Sequence, residues 1–372
     1  MYASCLKLAT IIVISGAVAM AQSAGKTPSP TVSGTTDAAK TPAKKPVDGH
    51  LTRVAAVTAA EEASAIFLGL KCDNPGNIYI PTGWEGGWAV HKLNSKGERV
   101  AVFDPTSNPE LKVDFSASLA VEPDGGDLYQ LVFPSVIDRY VYAYKSDGSF
   151  KSAIKLKPGF VFMPTRIVLF PSGQFLVAGS EYGSDSKTNP RPSWPFAGIF
   201  AADGTMLKEL ELGDEKEMHD MAASGDPRVI IRGQRGSNKA VGNTFIEIGG
   251  DGNAYLMRWT NPALFYAVSA GGEVERRFAV DPGDDGYRPD GMHIYKNRIA
   301  VWFEKRETHD KIMKIVDLEG REIATYDELK VNGKPKDYLG AAFACYSENP
   351  TRFTFLGSED GEKLQLLIAE PQ

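Results

Sequence analysis

The sequence contains few of the residues from which catalytic and metal sites are most often built. It has three cysteines and five histidines, and the histidines are isolated from one another. Neither C-x-x-C nor H-E-x-x-H, the spacings that hold zinc, is present. The G-x-S-x-G turn that presents the nucleophile of α/β-hydrolases is also missing. The sequence therefore gives no support to a zinc enzyme or a nucleophile-elbow hydrolase.

An excess of positive charge is missing as well. The 41 basic residues are outnumbered by 47 acidic residues, which gives a net charge of −6. Because nucleic-acid binding needs a basic stripe, nucleic acid is not the expected partner. After the first twenty residues no stretch is long and apolar enough to span a bilayer, so we expect no transmembrane segment in the mature chain.

The first residues have the pattern of an export signal. Lys7 supplies the positive start, LATIIVISGAVAM is a short apolar stretch, and Ala19-Met20-Ala21 is a small-x-small cleavage site. We predict a signal peptide over 1–21, cleavage near Ala21 and a periplasmic or extracellular protein; an uncleaved anchor is the alternative. Residues 22–49 are rich in Pro, Thr, Ala and Lys, so they are predicted to form a disordered tether.

A glycine-centred hairpin recurs along the rest of the chain. Its turns lie at Gly97, Gly148, Gly204, Gly272 and Gly320, which are 51, 56, 68 and 48 residues apart. Each is preceded by another hairpin with a Pro/Asp/Asn/Gly turn, as in CDNPGNIYI, VEPDGGDLY and GGDGNAY. Two successive hairpins give four strands, which is one blade of a β-propeller.

Counting these units predicts an all-β fold, a six-bladed β-propeller of four-stranded antiparallel blades over 50–372. Blades one to five are expected at 63–104, 115–156, 164–212, 243–280 and 289–327. The C-terminal segment supplies only three strands. We therefore expect residues 51–57 to complete the last blade and close the ring. Residues 213–242 fit no blade and are interpreted as an inserted loop or short helix between blades three and four.

The D/N-x-G-N/D turn followed by a Tyr-containing strand resembles that of NHL-type six-bladed propellers. The resemblance covers most of residues 51–372 and is carried best by CDNPGNIYI, VEPDGGDLY and GGDGNAY. It implies the fold but selects no activity, because such propellers include lyases, lactonases, sensors and binding modules. The axial acidic and Asn ligands typical of metal-dependent lactonase propellers are not identifiable in this sequence, and Glu247 and Asn243 are the nearest approximations.

Propeller loops of variable length collect on the face opposite the glycine turns, and ligand sites are expected there. An aromatic and arginine mixture on this face suits an anionic or sugar-like ligand, whereas a solvated loop surface is the alternative. The candidate ligand-binding residues are Trp84, Tyr182, Trp194, Arg166, His219, Arg232, Arg235 and Arg288.

Candidates for chemistry lie in and after the loop that begins at Asp281. His293, expected to begin the innermost strand of blade five near the channel mouth, is a candidate general base, with Asp290 beside it. No cofactor is predicted, but calcium prefers several oxygen ligands, and Asp284, Asp285 and Asp290 are the candidates. A hydrophilic turn and a structural histidine are the competing interpretations.

The two cysteines of the mature chain occupy equivalent positions in blades that a closed ring makes neighbours. Cys72 and Cys345 each end a predicted innermost strand. An exported protein with two cysteines invites a disulfide, and two buried free thiols are the alternative.

These observations favour a propeller that binds a protein, carbohydrate or small anionic ligand through its loop-rich face. The alternative is a metal-assisted hydrolase, lactonase or lyase with its site at the mouth of the central channel.

Overall fold

The structure is a computed structural model that describes residues 46–62, 69–83, 87–107, 113–135, 138–182, 193–210, 212, 245–305, 307–332, 334–359 and 361–372. These residues form 26 strands and one short 3-10 helix, Pro105–Ser107. In this part of the chain no helix has the length and apolarity that a membrane span requires. Four of the sheets are four-stranded and antiparallel, and the sheets are arranged as a propeller, which confirms the all-β propeller part of the predicted fold class.

Four of the sheets each contain four strands that follow one another in the chain. The first is β2 Lys71–Cys72, β3 Ile78–Pro81, β4 Val90–Leu93 and β5 Arg99–Phe103. The second is β6 Phe115–Val121, β7 Leu128–Phe133, β8 Tyr140–Tyr144 and β9 Phe150–Lys155. The third is β10 Phe162–Leu169, β11 Phe175–Tyr182, β12 Ser193–Phe200 and β13 Met206–Glu209. The fourth is β14 Phe245–Ile248, β15 Ala254–Met257, β16 Ala263–Val268 and β17 Val274–Val280.

A larger sheet of eight strands holds both ends of the described chain. Its order is β18-β19-β20-β21-β1-β26-β25-β24. The strands are β1 Val47–Glu62, β18 Tyr287–Tyr295, β19 Arg298–Lys305, β20 Lys311–Asp317, β21 Glu322–Glu328, β24 Ala342–Ser347, β25 Arg352–Gly357 and β26 Lys363–Pro371. A separate two-stranded ribbon, β22 Lys330–Val331 and β23 Lys334–Pro335, follows β21.

Strand β1 joins two antiparallel groups of strands within this sheet. It pairs antiparallel with β26 from Leu51 to Glu62, as the sequence predicts for residues 51–57. It also pairs parallel with β21 over Val47–Leu51. The strand therefore begins at Val47, inside the stretch assigned to the tether, because backbone pairing with β21 orders residues that have little apolar surface to bury.

The recurring glycines have a packing role in addition to their role in the turn. Gly148, with φ of 91°, lies so close to β5 that an added Cβ would be 2.3 Å from the Val102 carbonyl oxygen. Gly97 likewise lies against β1, where its Cβ would be 2.8 Å from the Thr58 carbonyl oxygen. At Gly204, Gly272 and Gly320 an added Cβ would come within about 3 Å of β9, of β12 and β13, and of β17 respectively. Each turn is thus seated on the outer part of the preceding group of strands.

Apolar clusters fill the spaces between neighbouring sheets. Tyr79, Phe103 and Tyr144 join the first and second sheets, and the Phe103 and Tyr144 rings meet edge to face at 5.9 Å. Another cluster joins Ile78 and Ile80 of β3 to residues of β1, β24, β25 and β26. The first sheet therefore packs against the end of the eight-stranded sheet that holds the C-terminus.

Two faces of the propeller differ in the connections they carry. We call the face with the glycine hairpin turns, such as 73–77 and 145–149, the turn face. The opposite face, where the innermost strands begin and where connections such as 134–139 and 281–286 lie, is called the loop face. The predicted insertion 213–242 lies outside the described residues.

Candidate functional site

The innermost strands carry an ion pair across the centre of the propeller. The Lys71 ammonium on β2 donates to the Ile246 carbonyl oxygen at 2.8 Å and lies 3.3 Å from Glu247 Oε1. The other oxygen of Glu247 accepts a hydrogen bond from the Ile294 amide at 2.7 Å. Both charged side chains are largely buried, at 17% and 12% exposure. The Glu247 carboxylate is therefore held by a cation and an amide of the chain itself.

His293 lies in the same region, at a different depth from that expected. It is the seventh residue of β18, a strand that begins at Tyr287, so it lies towards the turn face and not at the start of the strand. Its Nδ1 accepts a hydrogen bond from the Tyr346 amide at 3.0 Å. Burial lowers the pKa of His293, and the nearby Lys71 ammonium acts in the same direction, whereas Glu247 and the Cys72 carbonyl partly oppose it. The surroundings of the ring therefore favour its neutral form.

A disulfide completes these contacts around the axis. Cys72 on β2 and Cys345 on β24 are bonded, with their Cα atoms 5.6 Å apart. Together with the contacts of Lys71, Glu247 and His293, this bond connects β2 to β14, β14 to β18, β18 to β24 and β24 back to β2. A cavity of ≈ 40 Å³ adjoins Lys71 and Glu247. Since one water needs roughly 10–15 Å³ of cavity volume, the cavity has room for only a few waters.

The loop face carries an aromatic patch at the first and second sheets, which we define as Trp88, Phe115, Phe133 and Arg139. Phe115, the first residue of β6, remains 39% exposed. Its ring meets Trp88 edge to face at 5.0 Å and lies 5.6 Å from the Phe133 ring. The Arg139 guanidinium lies over Phe133 at 4.5 Å. The Phe115 ring is thus held in place by Trp88 and Phe133 and remains partly exposed to solvent.

A second group on the loop face is charged and lies at the strands β18 to β21. Asp290 is reached by solvent, but the surrounding protein removes part of its hydration and raises its pKa, and the charge of Glu304 adds to this shift. Glu328 is buried, and burial raises its pKa to about 7. Lys311 lowers the pKa of both carboxyl groups; its ammonium donates to the Gly340 carbonyl oxygen at 2.9 Å.

Of the three carboxylates predicted to bind calcium, that of Asp284 is occupied by contacts within the protein. Asp284 Oδ2 lies 2.7 Å from the Lys305 ammonium, and Asp284 Oδ1 accepts the Gly286 amide at 2.7 Å. The hydrogen bond from Lys305 lowers the pKa of Asp284. Asp285 is exposed, and its carbonyl oxygen accepts Arg288 Nη1 at 2.5 Å. Among the described residues, no three His, Cys, Asp or Glu side chains are grouped as a metal would require.

The other predicted ligand-binding residues are distributed as follows. Arg166 lies on the innermost strand β10, where burial lowers its pKa and its Nη1 donates to the Thr165 carbonyl oxygen at 2.7 Å. Tyr182 ends β11 and Trp194 is the second residue of β12, so both backbones reach the loop face. Trp84, His219, Arg232, Arg235 and Asn243 lie outside the described residues.

Sequence reasoning missed Lys71, Phe115, Lys311 and Glu328. Lys71 and Glu247 are separated by 176 residues, and nothing near either residue indicates that they meet. Phe115 had a usable signal, because an aromatic residue at the first position of an innermost strand must lie at the loop face.

Comparison with known proteins supports the fold alone. No family model and no curated protein matches the chain. A protein of Bacteroides fragilis that is assumed to be exported has 11% identity, a TM-score of 0.52, and coverage of 88% of this chain and 99% of its own. The PQQ-bound aldose sugar dehydrogenase of Streptomyces coelicolor has 11% identity, a TM-score of 0.47, and the same two coverages. Regucalcin, a calcium-binding protein of Agrobacterium tumefaciens, has 15% identity, a TM-score of 0.45, and coverage of 88% and 97%.

Proposed function

We propose that this chain is an exported six-bladed, NHL-like propeller that binds a ligand or partner through its loop face and has no chemistry of its own. The blade count is supported by the division of the eight-stranded sheet into two antiparallel groups of four, β18–β21 and β24–β26 with β1. It is also supported by Gly97, which is seated on β1 as Gly148 is seated on β5. Export is supported by the composition of residues 1–21.

The contacts of the Glu247 carboxylate are the observation that supports a non-catalytic function. This residue is the nearest approximation in the sequence to an axial ligand of metal-dependent lactonase propellers. Here its carboxylate is taken by the Lys71 ammonium and the Ile294 amide. His293 is buried, and its Nδ1 is occupied by the Tyr346 amide. Glu247 and His293 thus connect neighbouring innermost strands, and their hydrogen-bonding atoms are occupied by the protein itself and not available for proton transfer.

The aromatic patch supports binding at the loop face. Most of the large apolar side chains of the propeller are buried, whereas Phe115 is left open on a support of Trp88 and Phe133. Aromatic residues contribute much of the affinity at binding surfaces, because they bury a large rigid area at little entropic cost. Arg139 is buried and donates to the Ser135, Asp138 and Phe162 carbonyl oxygens, so it supports the Phe133 ring from within the protein. A ligand with an apolar face fits this patch.

A panel of immobilised oligosaccharides and peptides, with binding measured by interferometry, tests the proposal. We expect at least one probe to bind, and Phe115→Ala to weaken that binding at least tenfold. Val100→Ala is the matched control, because Val100 is an exposed apolar residue on the outer strand β5. A panel without any binder, or equal affinity of the Phe115→Ala variant, would contradict binding by the aromatic patch.

The runner-up function, a metal-assisted hydrolase at the channel mouth, is favoured by one observation. The raised pKa of Asp290 is what a general acid needs at a site from which water is partly excluded. Metal analysis of the purified chain separates the two functions: stoichiometric calcium or zinc that Asp290→Asn removes would replace the binding proposal with the enzymatic one.

A further inference from the structure

A cavity of ≈ 290 Å³ lies on the turn face, on the side away from the aromatic patch. It is formed where the turns of the fourth sheet meet the turns of β18–β19 and β20–β21. Its walls are almost entirely polar, with Leu318 as the apolar member. The lining residues are Asp251, Arg276, Asn297, Arg298, Asp317, Leu318, Glu319 and Arg321.

Two of the carboxylates are fully used in building the walls. Asp251 accepts hydrogen bonds from the Asn253 amide at 3.1 Å and the Tyr255 hydroxyl at 2.8 Å, and it is also paired with Arg276. Asp317 accepts the Glu319 and Arg321 amides at 3.0 and 2.9 Å, and Arg321 Nε at 2.6 Å. These groups hold their turns in place and have little remaining capacity for a ligand.

Other groups in the cavity do have capacity for a ligand. The contacts of Arg298 are long, at 3.6 Å to Glu348 and 3.5 Å to the Asn297 carbonyl oxygen. Within the described chain the Asn297 side chain makes no hydrogen bond. Arg321 and Glu319 pair with each other at 3.0 Å, and Glu319 also lies 3.5 Å from Arg276, but the two side chains are 71% and 49% exposed. The groups with the weakest contacts are thus Arg298 and Asn297, and the exposed Arg321–Glu319 pair lies beside them, where a ligand can exchange with its partners.

We propose that this cavity is a second ligand site, which takes a small hydroxylated carboxylate such as a sugar acid. A carboxylate matches the paired donors of a guanidinium group, which places it on Arg298 and Arg321. The hydroxyl groups of the ligand donate to Glu319 and exchange hydrogen bonds with Asn297. A phosphate dianion is disfavoured, because the three carboxylates of the cavity already balance its three guanidinium groups and leave no net positive charge to hold a second negative charge.

Calorimetric titration of the full-length chain with four probes tests this site. D-glucuronate carries both features, D-glucose carries the hydroxyl groups alone, acetate carries the carboxylate alone, and inorganic phosphate carries the higher charge. We expect D-glucuronate to bind at least tenfold more tightly than each of the other three. Equal or tighter binding of acetate, glucose or phosphate, or no detectable binding of glucuronate, would overturn the proposal.

Variants locate the binding on the turn face. Arg298→Gln should weaken glucuronate binding at least tenfold and leave the melting temperature nearly unchanged, because the contacts of Arg298 within the protein are weak. Arg352→Gln is the matched control: Arg352 is a half-exposed arginine that pairs with Glu370 on β26, outside the cavity. Phe115→Ala should leave glucuronate binding intact, since Phe115 lies on the other face. Unchanged binding by Arg298→Gln would show that the ligand is held elsewhere.

Discussion

At the scale of single residues, the buried charges of this propeller differ in how well they are satisfied. Glu61, near the end of β1, accepts hydrogen bonds from Arg99 at 2.7 Å and His91 at 2.8 Å. Burial alone would raise its pKa, but these partners outweigh burial and hold the pKa below its usual value. Glu328 is the opposite case, because one of its carboxyl oxygens is buried with no hydrogen-bond partner. A rise in pH therefore stabilises the fold through Glu61 and destabilises it through Glu328.

Replacing Glu328 by Gln should stabilise the protein at pH 8. Glu328 loses its proton near pH 7 when folded and near its ordinary value of 4.5 when unfolded. Between these values the folded state binds more protons, so this residue makes the protein less stable as pH rises. At pH 8 the penalty is on the order of 3 kcal/mol, since each pKa unit is worth about 1.4 kcal/mol.

Urea denaturation of wild type and Glu328→Gln at pH 5 and pH 8 measures this effect. The free energy of unfolding of the variant should exceed that of wild type at pH 8, and the difference should fall to about 1 kcal/mol or less at pH 5. Glu98→Gln, at an exposed carboxylate in a hairpin turn, is the control and should change little at either pH. A variant that is less stable than wild type at pH 8 would show that the Glu328 charge is favourable.

At the scale of elements, the glycine turns and β1 depend on each other. Because Gly97 lies against Thr58 and Ala59, its turn also helps to position the N-terminal strand. The Ala60 amide donates to the Gly97 carbonyl oxygen at 2.9 Å, which fixes the same contact through the backbone. Strand β1 thus touches three groups of strands: β21, β26 and the first sheet.

Substituting Gly97 by Ala should therefore cost more than the same change at a glycine with open space. Both Gly97 and Gly76 have positive φ, 75° and 87°, so alanine pays about 1–2 kcal/mol of backbone strain at either position. At Gly76 nothing lies within 4 Å of the added Cβ, whereas at Gly97 it would be 2.8 Å from the Thr58 carbonyl oxygen. We expect the Gly97→Ala loss in unfolding free energy to exceed the Gly76→Ala loss by roughly 1–3 kcal/mol. Equal losses in urea denaturation would mean that β1 moves away at no cost.

The strands and their hairpin turns are the part of the structure that the sequence predicts best. Hairpin turns need glycine at positive φ, which leaves a local signal, and Gly97, Gly148 and the other turns were found on that basis. The extra length of β1 could not be predicted, because its first residues are ordered by backbone pairing with β21. Such pairing does not require the alternating apolar side chains that mark a strand in sequence.

At the scale of the whole molecule, the candidate site depends on contacts that the ring alone creates. Cys72 and Cys345 could be paired from their equivalent positions in the repeat. The contact of Lys71 with Glu247 could not, because it joins innermost strands that are far apart in the sequence. The position of His293 was also mispredicted, because its depth in the propeller depends on the residue at which β18 begins.

The disulfide should contribute strongly to the stability of the closed propeller. It links residues 273 apart in the sequence. In the chain-entropy model, a loop of this length is worth about 5 kcal/mol, because the bond restricts the unfolded chain. Cys72→Ser with Cys345→Ser should lower the free energy of unfolding by several kcal/mol in urea denaturation. Adding reductant to the wild type should have the same effect, and adding it to the double variant should have none.

Thiol titration provides the independent measurement. Because Cys5 lies in the predicted signal peptide, the mature chain has two cysteines, and a Cys72–Cys345 bond leaves no reactive thiol when this chain is denatured without reduction. Two reactive thiols would contradict the bond. If the bond is present but the double variant is as stable as wild type, the axial contacts of Lys71, Glu247 and His293 alone hold β2, β14, β18 and β24 together. In that case Lys71→Met should destabilise the double variant more than the wild type, because the two kinds of tie connect the same strands.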